Sequence, residues 1–299
     1  MTPPTIYSVT LSWNRREDTL ACLASLVASD YPNLVCVLVD NASTDGTVEA
    51  VRAAYPHVVV IENPKNSGYA GGVVLGIQHA LERGADFIWI VDNDAIVAPD
   101  ALTIMLREQC HQPPAAVLTP KVMFYARPDV IWSMGYECRP ITLARTHSWE
   151  GQPMSSANGP RRPAVYAPCC GLLIRHDVLK TIGLLDTYFF IYYEDLDFCL
   201  RARQAHVQLF SVPEAKVWHK VSASAGEESA SQKYHLARSS VRFYRKHTPV
   251  ILRPIIVLYR LGSAIRTTLR ALRHRRPDVV QAYWRGLRDG WRDALKQSD

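Results

Sequence analysis

Four short apolar segments alternate with helix-like segments in the first 91 residues, and this alternation constrains the fold more than any other feature. The apolar segments cover residues 6–11, 34–39, 58–61 and 87–91. Strands that alternate with helices pair mostly in parallel and are joined by right-handed crossovers. The carboxyl ends of such strands meet at one edge of the sheet, so the loops that follow them should lie together. The sequence therefore predicts an α/β fold with a mostly parallel sheet flanked by helices.

Charge divides the chain into a weakly acidic body and a basic tail. Residues 242–299 contain 14 Lys and Arg and 4 Asp and Glu, so residues 1–241 carry −4 within a total of +6. With 299 residues, 48% of them apolar, the chain has room for one large domain and an appendage. We predict a domain over residues 1–235 and a basic amphipathic helical region over residues 236–299.

The cysteines and the amino terminus indicate the compartment. Seven cysteines are scattered through apolar segments without a CxxC pair, a pattern that indicates a reducing environment rather than a disulfide framework. The first residues, MTPPTIYSVTLSW, lack the basic region and apolar core of a signal peptide. We therefore expect a cytoplasmic protein.

Two carboxylates follow the fourth apolar segment, in the sequence FIWIVDND. Asp92 and Asp94 should emerge at the carboxyl end of a buried strand, where open α/β sheets bind ligands. A hard divalent cation prefers oxygen ligands of this kind, with phosphate supplying others. The alternative is a solvated turn that caps the next helix, which Pro99 and Asp100 would open.

Glycines before the third helix give a weaker signal for phosphate. Gly68, Gly71 and Gly72 could cradle a phosphate at the amino terminus of a helix, or simply form a tight turn. The dinucleotide fingerprint GxGxxG and the P-loop are both missing, which disfavours a plain NAD or ATP site.

A second acidic group lies among aromatic residues at the start of a predicted helix. The helix dipole and partial burial there can tune Glu194 and Asp195 for proton transfer, although acidic residues also simply stabilise helix amino termini. Asp197 and Arg201 are four residues apart, a spacing that predicts an ion pair on the helix. After a strand predicted over residues 207–212, His219 could supply a nitrogen ligand to a cation held by Asp94.

Five motifs in order resemble the inverting family 2 glycosyltransferases of GT-A fold, and the rhamnosyltransferase-like branch is nearest. The motifs, within residues 5–222, are VDNASTDGT, NPKNSGYAGG, IVDNDAIVAPDAL, FFIYYEDLDFCLR and VPEAKVWH. The resemblance implies transfer of a sugar, L-rhamnose from dTDP-rhamnose in that branch, to a hydroxyl of a lipid-linked or polysaccharide acceptor. UDP-galactofuranose or UDP-N-acetylglucosamine is the alternative donor, and a non-catalytic nucleotide-sugar-binding scaffold is the alternative class.

The resemblance also implies roles for individual residues. Asp195 matches the general base with Glu194 in support, while Asp94 and His219 match ligands of Mg²⁺ or Mn²⁺. The residues that the resemblance places around the donor are Ser12, Asn14, Asp40, Asn66, Gly68, Asp92 and Asn93, with Asp40 near the base and Asp92 near the ribose. The chain departs from the family pattern at Val73-Val74, where a polar residue is common, and at Asn93, where the family often has aspartate.

The basic tail contains an amphipathic helical pattern. Leu258, Leu261, Ile265, Leu269 and Leu272 fall within an arc of roughly 80°, and several arginines lie outside it. Arginines interrupt each long apolar run, so the tail should lie in the membrane interface rather than span it. We expect an anionic membrane surface as partner, peripheral on the inner face; packing on the main domain or a homodimer contact is the alternative. No recognisable module predicts nucleic-acid binding.

Overall fold

The computed structural model describes residues 3–111, 116–146, 149–221 and 229–296. The strands are β1 (Ile6–Ser12), β2 (Leu34–Asp40), β3 (Val59–Glu62), β4 (Phe87–Ile90), β5 (Ala95–Val97), β6 (Val117–Phe124), β7 (Arg127–Ser133), β8 (Glu137–Cys138), β9 (Arg145–Thr146), β10 (Arg162–Pro163), β11 (Leu172–Arg175) and β12 (Leu209–His219). The helices are α1 (Arg16–Val27), α2 (Thr47–Ala54), α3 (Gly68–Glu82), α4 (Ala101–Gln109), α5 (His176–Ile182), α6 (Glu194–Gln204), α7 (Ala230–His247), α8 (Arg253–Arg273) and α9 (Pro277–Lys296). Short 3₁₀ turns cover Met154–Ser156 and Val250–Leu252.

The main sheet follows the order β10-β12-β6-β11-β4-β1-β2-β3, with β5 added to β12 and β7 to β6. The four strands predicted from the alternating pattern, β1 to β4, are parallel neighbours. Beyond them, β11 runs antiparallel to both β4 and β6. The predicted α/β fold is therefore confirmed, and the later part of the sheet is mixed.

Helices cover both faces of this sheet. One core contains Val9, Val39 and Ile90 packed under α3, and the other contains Leu38 and Trp89 under α1 and α4. All seven residues of β1 and all four of β4 are buried. Strand β4 is accordingly apolar throughout, whereas β1 also buries the hydroxyl side chains of Ser8, Thr10 and Ser12.

Helix α3 begins earlier than the sequence predicted. The sequence pattern placed Gly68, Gly71 and Gly72 before the helix, but the helix starts at Gly68, whose backbone has a φ of 79° and whose N–H donates to Asn66 Oδ1 over 2.9 Å. A Cβ on Gly72 would lie 2.2 Å from Leu11 Cδ1, so this glycine allows α3 to pack against β1. The glycines thus form the first turns of the helix rather than a loop before it.

Strand β12 is longer than predicted. The sequence suggested a strand that ends at Val212, whereas the chain continues through a bulge between Val212 and Lys216 to His219. The far end of β12 pairs antiparallel with β5, and His219 lies opposite Ala95. This pairing brings His219 beside the acidic residues that precede β5.

The carboxyl-terminal helices are attached to the main body through a buried carboxylate. Asp197 on α6 is fully buried and pairs with Arg201 at 2.8 Å, which confirms the predicted helix pair. It also pairs with Lys246 at 2.7 Å and with His247 at 2.8 Å, both at the end of α7. The division at residue 235 falls inside α7 and stays a prediction. In the part of the chain that the structure describes, no helix is long and apolar enough to cross a membrane.

Replacing Asp197 should destabilise the protein strongly. Burial raises the pKa of Asp197, but His247, Lys246 and Arg201 together hold it well below its usual range. Asp197→Asn would leave Arg201, His247 and the more exposed Lys246 without their buried carboxylate, and we expect a loss of about 3 kcal/mol in the free energy of unfolding, measured by urea denaturation. The contribution should be complete above about pH 4 and should fall as Asp197 becomes protonated at lower pH.

The matched control is Asp278→Asn. Asp278 also pairs with an arginine, Arg276 at 2.8 Å, but both side chains are about half exposed. Exposed pairs contribute little, so this change should destabilise the protein far less than Asp197→Asn does. Equal losses in the two variants would contradict the role given to Asp197.

Candidate active site

Asp92, Asp94 and His219 form a cluster at the carboxyl end of β4. Their ligand atoms all lie within 4.8 Å of one another. His219 Nε2 lies 2.9 Å from Asp94 Oδ1 and 3.7 Å from Asp92 Oδ2. Two carboxylates and one imidazole form a donor set that suits Mn²⁺ or Mg²⁺ when phosphate oxygens complete it. The pairing of β5 with β12 therefore assembles the predicted metal ligands from residues 125 positions apart.

The two carboxylates crowd each other. The pKa of Asp92 is raised to about 6 overall: burial raises it most, His219 lowers it and Asp94 raises it. Burial lowers the pKa of His219, but its hydrogen bond to Asp94 and the two carboxylates raise the pKa above its usual value overall. Tyr69 on α3 donates its hydroxyl to Asp92 Oδ1 over 2.5 Å. A bound cation would relieve this repulsion, so the charges also fit a metal site.

Asp40 ends β2 and retains a free acceptor. Its Oδ2 accepts the backbone N–H of Ser43 at 2.9 Å, while its buried Oδ1 has no hydrogen-bond partner within the described residues. Buried carboxylate oxygens are rarely left unpaired. A donor N–H of a nucleotide base would satisfy this oxygen.

The other predicted donor residues have protein partners. Ser12 and Asn93 both bond to Thr19 Oγ1 at 2.9 Å, so the side chain of Asn93 faces α1. Asn14 Oδ1 accepts the N–H of Thr44 at 2.8 Å. Asn66 Oδ1 accepts both Asn41 Nδ2 and the N–H of Gly68 at 2.9 Å. These bonds hold the loops after β1, β2 and β3 together, and direct donor contacts by these side chains stay predictions.

The second pair of carboxylates begins α6. Glu194 is buried, and burial together with Asp195 raises its pKa well above its usual range, which favours the protonated form. Asp195 is partly exposed and accepts the N–H of Leu196 at 2.7 Å through Oδ1. Tyr193, which precedes the pair, has a φ of 75°, a conformation that non-glycine residues rarely adopt. The two neighbouring carboxyls thus have different environments.

Tyr166 contacts Asp195 and Arg145 contacts Tyr166, and the sequence did not single out either residue. The Tyr166 hydroxyl donates to Asp195 Oδ2, and Arg145 Nη1 donates to the Tyr166 oxygen over 3.2 Å. Tyr136 stacks on Tyr166 with ring centroids 5.1 Å apart. Burial raises the pKa of Asp195, whereas Arg145 and the Tyr166 hydrogen bond lower it. No local motif marks these residues, because Arg145 lies on β9 and Tyr166 in an isolated bridge with Tyr136, both far from α6 in sequence.

Comparison with known proteins defines the family. Residues 9–183 match glycosyl transferase family 2. The chain is 27% identical over 195 residues to galactofuranosyltransferase GlfT1 of Mycolicibacterium smegmatis, covering 62% of this chain and 61% of that protein. It is 26% identical over 235 residues to an N-acetylglucosaminyl-diphospho-decaprenol L-rhamnosyltransferase of Mycobacterium tuberculosis, covering 72% and 75%. The match thus spans less than two thirds of the galactofuranosyltransferase.

A solved structure supports the same conclusion about the fold. The mannosyltransferase PcManGT of Pyrobaculum calidifontis, in complex with GDP-Man and Mn²⁺, superimposes with a TM-score of 0.57 at 18% identity, covering 100% of this chain and 89% of that one. The chain belongs to glycosyl transferase family 2 and has the GT-A fold. The predicted likeness to rhamnosyltransferases is confirmed by the mycobacterial relative.

Removing the Tyr166 hydroxyl should raise the pKa of Asp195. That hydroxyl stabilises the ionised carboxylate, so Tyr166→Phe should shift the pKa of Asp195 upward. The shift can be measured by NMR titration of the Asp195 carboxyl carbon, with Asp195→Asn to assign the signal. Tyr188→Phe is the control, because the Tyr188 hydroxyl bonds to Asp293 at 3.3 Å instead. An unchanged Asp195 titration in Tyr166→Phe would contradict the proposed contact.

Proposed function

We propose that the protein is a metal-dependent inverting glycosyltransferase that moves a sugar from a nucleoside diphosphate to a hydroxyl of a lipid-linked or polysaccharide acceptor. The observation that carries the proposal is the presence of two separate acidic sites on one sheet edge and the adjoining helix α6. Asp92, Asp94 and His219 form a cation-type cluster, while Asp195 is a partly exposed carboxylate with positioned neighbours.

Each group has a distinct task in this proposal. Asp94 and His219 would hold Mg²⁺ or Mn²⁺, which neutralises the charge of a diphosphate leaving group. The free oxygen of Asp40 receives the nucleotide base, and Asp92 lies near the ribose. Asp195 accepts the proton of the attacking hydroxyl, because it is the exposed member of the pair. Glu194, buried beside it at the start of α6, supports Asp195.

A single base acting opposite the leaving group accounts for inversion. Retention by double displacement would need a nucleophile at the anomeric carbon in addition to the base. Glu194 is poorly suited to that task, because it is buried, and burial together with Asp195 raises its pKa. Inversion therefore requires only the groups already assigned.

The donor that we propose first is dTDP-rhamnose. The support is the likeness to the mycobacterial L-rhamnosyltransferase over 72% of this chain. UDP-galactofuranose is the second candidate, because the GlfT1 relative is a galactofuranosyltransferase of similar identity. A panel of nucleotide sugars, tested for thermal stabilisation in the presence of Mn²⁺, separates these donors, since a ligand at 100 times its Kd adds about 2.7 kcal/mol.

Two substitutions should separate chemistry from donor binding. Asp195→Asn keeps the shape of the base but cannot accept a proton, so transfer should fall by at least about 100-fold while donor binding persists. Asp94→Ala should weaken both cation and donor binding, because it removes a carboxylate from the metal cluster. Transfer followed by product analysis and donor binding by calorimetry measure the two effects. Normal turnover by Asp195→Asn would overturn the base assignment, whereas absence of transfer by the intact protein across a full panel of donors and acceptors would favour the non-catalytic scaffold.

We also propose that α8 lies on an anionic membrane surface on the cytoplasmic side. The predicted apolar arc is exposed: Leu258, Leu261, Ile265, Leu269 and Leu272 have between 50% and 72% of their surface accessible. Arg266, Arg270 and Arg273 flank this face, and an apolar face beside basic residues favours interfacial binding.

Charging the exposed face of α8 should release the protein from vesicles. We expect the double variant Leu258→Glu and Leu269→Glu to bind vesicles with 30% anionic lipid at least about tenfold more weakly in sedimentation assays. Ile141→Glu is the control, since Ile141 is 48% exposed but lies outside the carboxyl-terminal helices. Failure of the intact protein to bind at low salt would exclude the membrane contact.

A further inference from the structure

A groove lies between the three carboxyl-terminal helices, separate from the cluster of Asp92, Asp94 and His219. It has a volume of about 560 Å³ and is enclosed by α7, α8 and α9. Pockets of this size hold small organic ligands in other proteins. Its apolar walls come from Ile256 and Leu261 on α8 and from Trp284, Leu287 and Trp291 on α9. These walls suit a hydrocarbon chain.

One end of the groove is basic and contains an unsatisfied buried hydroxyl. Arg245, Thr248 and Arg253 line the groove where α7 ends and α8 begins. Thr248 is only 5% exposed, and its Oγ1 has no hydrogen-bond partner among the described residues. A buried hydroxyl without a partner is costly unless a ligand or water completes it. This end therefore suits a ligand with hydrogen-bonding oxygens.

The charge of the groove selects an anion. The lining residues include four arginines, at positions 245, 253, 260 and 288, and none of the described lining residues is acidic. Helix α8 starts at Arg253 without acidic residues in its first turn, and helix amino termini favour negative charge. A ligand with a hydrocarbon chain and a phosphate at one end would place the chain against the apolar walls and the phosphate at the basic end of the groove.

The groove is coupled to the carboxylates of α6. Tyr244 lines the groove, and its ring meets that of Tyr193 with centroids 6.5 Å apart. Tyr193 directly precedes Glu194 and also packs against Phe243, with centroids 4.9 Å apart. Leu261 lines the groove and also belongs to the exposed apolar face of α8. The groove thus connects the proposed membrane face with the helix that carries Asp195.

We propose that this groove binds the hydrocarbon chain and phosphate of the lipid that carries the sugar acceptor. The phosphate lies at Arg253 and Thr248, and the chain runs between α8 and α9. This assignment rests on the proposed glycosyltransferase function and narrows its acceptor to a phosphate-bearing lipid rather than a free polysaccharide.

The test measures lipid binding directly, without donor, metal or transfer. Farnesyl phosphate, kept below its critical micelle concentration, is titrated into the full chain by calorimetry. Farnesol and inorganic phosphate are titrated in parallel. Each should bind at least about tenfold more weakly than farnesyl phosphate, because farnesol lacks the phosphate and inorganic phosphate lacks the hydrocarbon chain. Equal binding of farnesol and farnesyl phosphate would overturn the phosphate assignment.

Two arginine variants locate the site. Arg253 lines the groove and Arg266 lies on the same helix outside it, and both are exposed enough to be replaced without disturbing the core. Arg253→Glu should weaken farnesyl phosphate binding at least about tenfold, whereas Arg266→Glu should change it less than about twofold. Equal effects would place the lipid on the outer surface of α8 and overturn the proposal.

A steric variant supplies a second, charge-independent test. Val257 lines the groove and is 46% exposed, so Val257→Trp can occupy the groove without burying the larger ring in the core. It should also weaken farnesyl phosphate binding at least about tenfold, and thermal unfolding checks that the fold is intact. Unchanged binding in this folded variant would overturn the proposal.

The measurements also detect a different occupant of the groove, and they distinguish failure of the groove assignment from failure of the glycosyltransferase function. If a second copy of the chain fills the groove, light scattering will show a dimer that excludes farnesyl phosphate, and the proposal fails. Stabilisation by Mn²⁺ and a nucleotide sugar is measured on the same samples. Its presence without lipid binding would reject the groove assignment and leave the glycosyltransferase function standing. Lipid binding without any sugar transfer would reject the catalytic function instead.

Discussion

The antiparallel pairing of β5 with the end of β12 is the contact on which the candidate metal site depends. It places His219 opposite Ala95, one residue after Asp94, and so sets the 2.9 Å distance between the two side chains. The bulge between Val212 and Lys216 adjusts the register of β12 before this point. Without the bulge, the register of the following residues would shift by one position, and each of their side chains would turn to the opposite face of the sheet. The ligand cluster is therefore a consequence of strand register.

The same sheet edge concentrates negative charge that the surrounding residues only partly balance. Tyr69 and His219 contact Asp92, and Tyr166 contacts Asp195, yet burial keeps the pKa of both carboxyls raised. Carboxylates that are crowded and partly removed from water repel one another. Binding of a cation, or acceptance of a proton, would reduce this repulsion. The carboxyls with raised pKa values are thus the residues that the proposal assigns to metal binding and base catalysis.

Local patterns in the sequence were sufficient for some features and not for others. The strand and helix alternation predicted β1 to β4, and the arc of leucines and isoleucine predicted the exposed face of α8, because both depend on periodicity within one element. The extension of β12 and the contact of Tyr166 with Asp195 were missed, since both depend on pairing between distant segments. The direction of the Asn93 side chain could not be predicted from its motif. Asn93 lies between two acidic residues, but its side chain faces Thr19.

The carboxyl-terminal helices have a structural connection to chemistry on α6. Asp197 holds the end of α7 through Lys246 and His247, only two residues after the candidate base Asp195. Helix α7 also lines the groove and packs against Tyr193 through Phe243. Any rearrangement of α7 on a lipid would therefore act directly on the first turn of α6. If the acceptor is the membrane lipid proposed above, these contacts connect the proposed base to the helices that line the groove, so that binding of the lipid would also position the sugar hydroxyl.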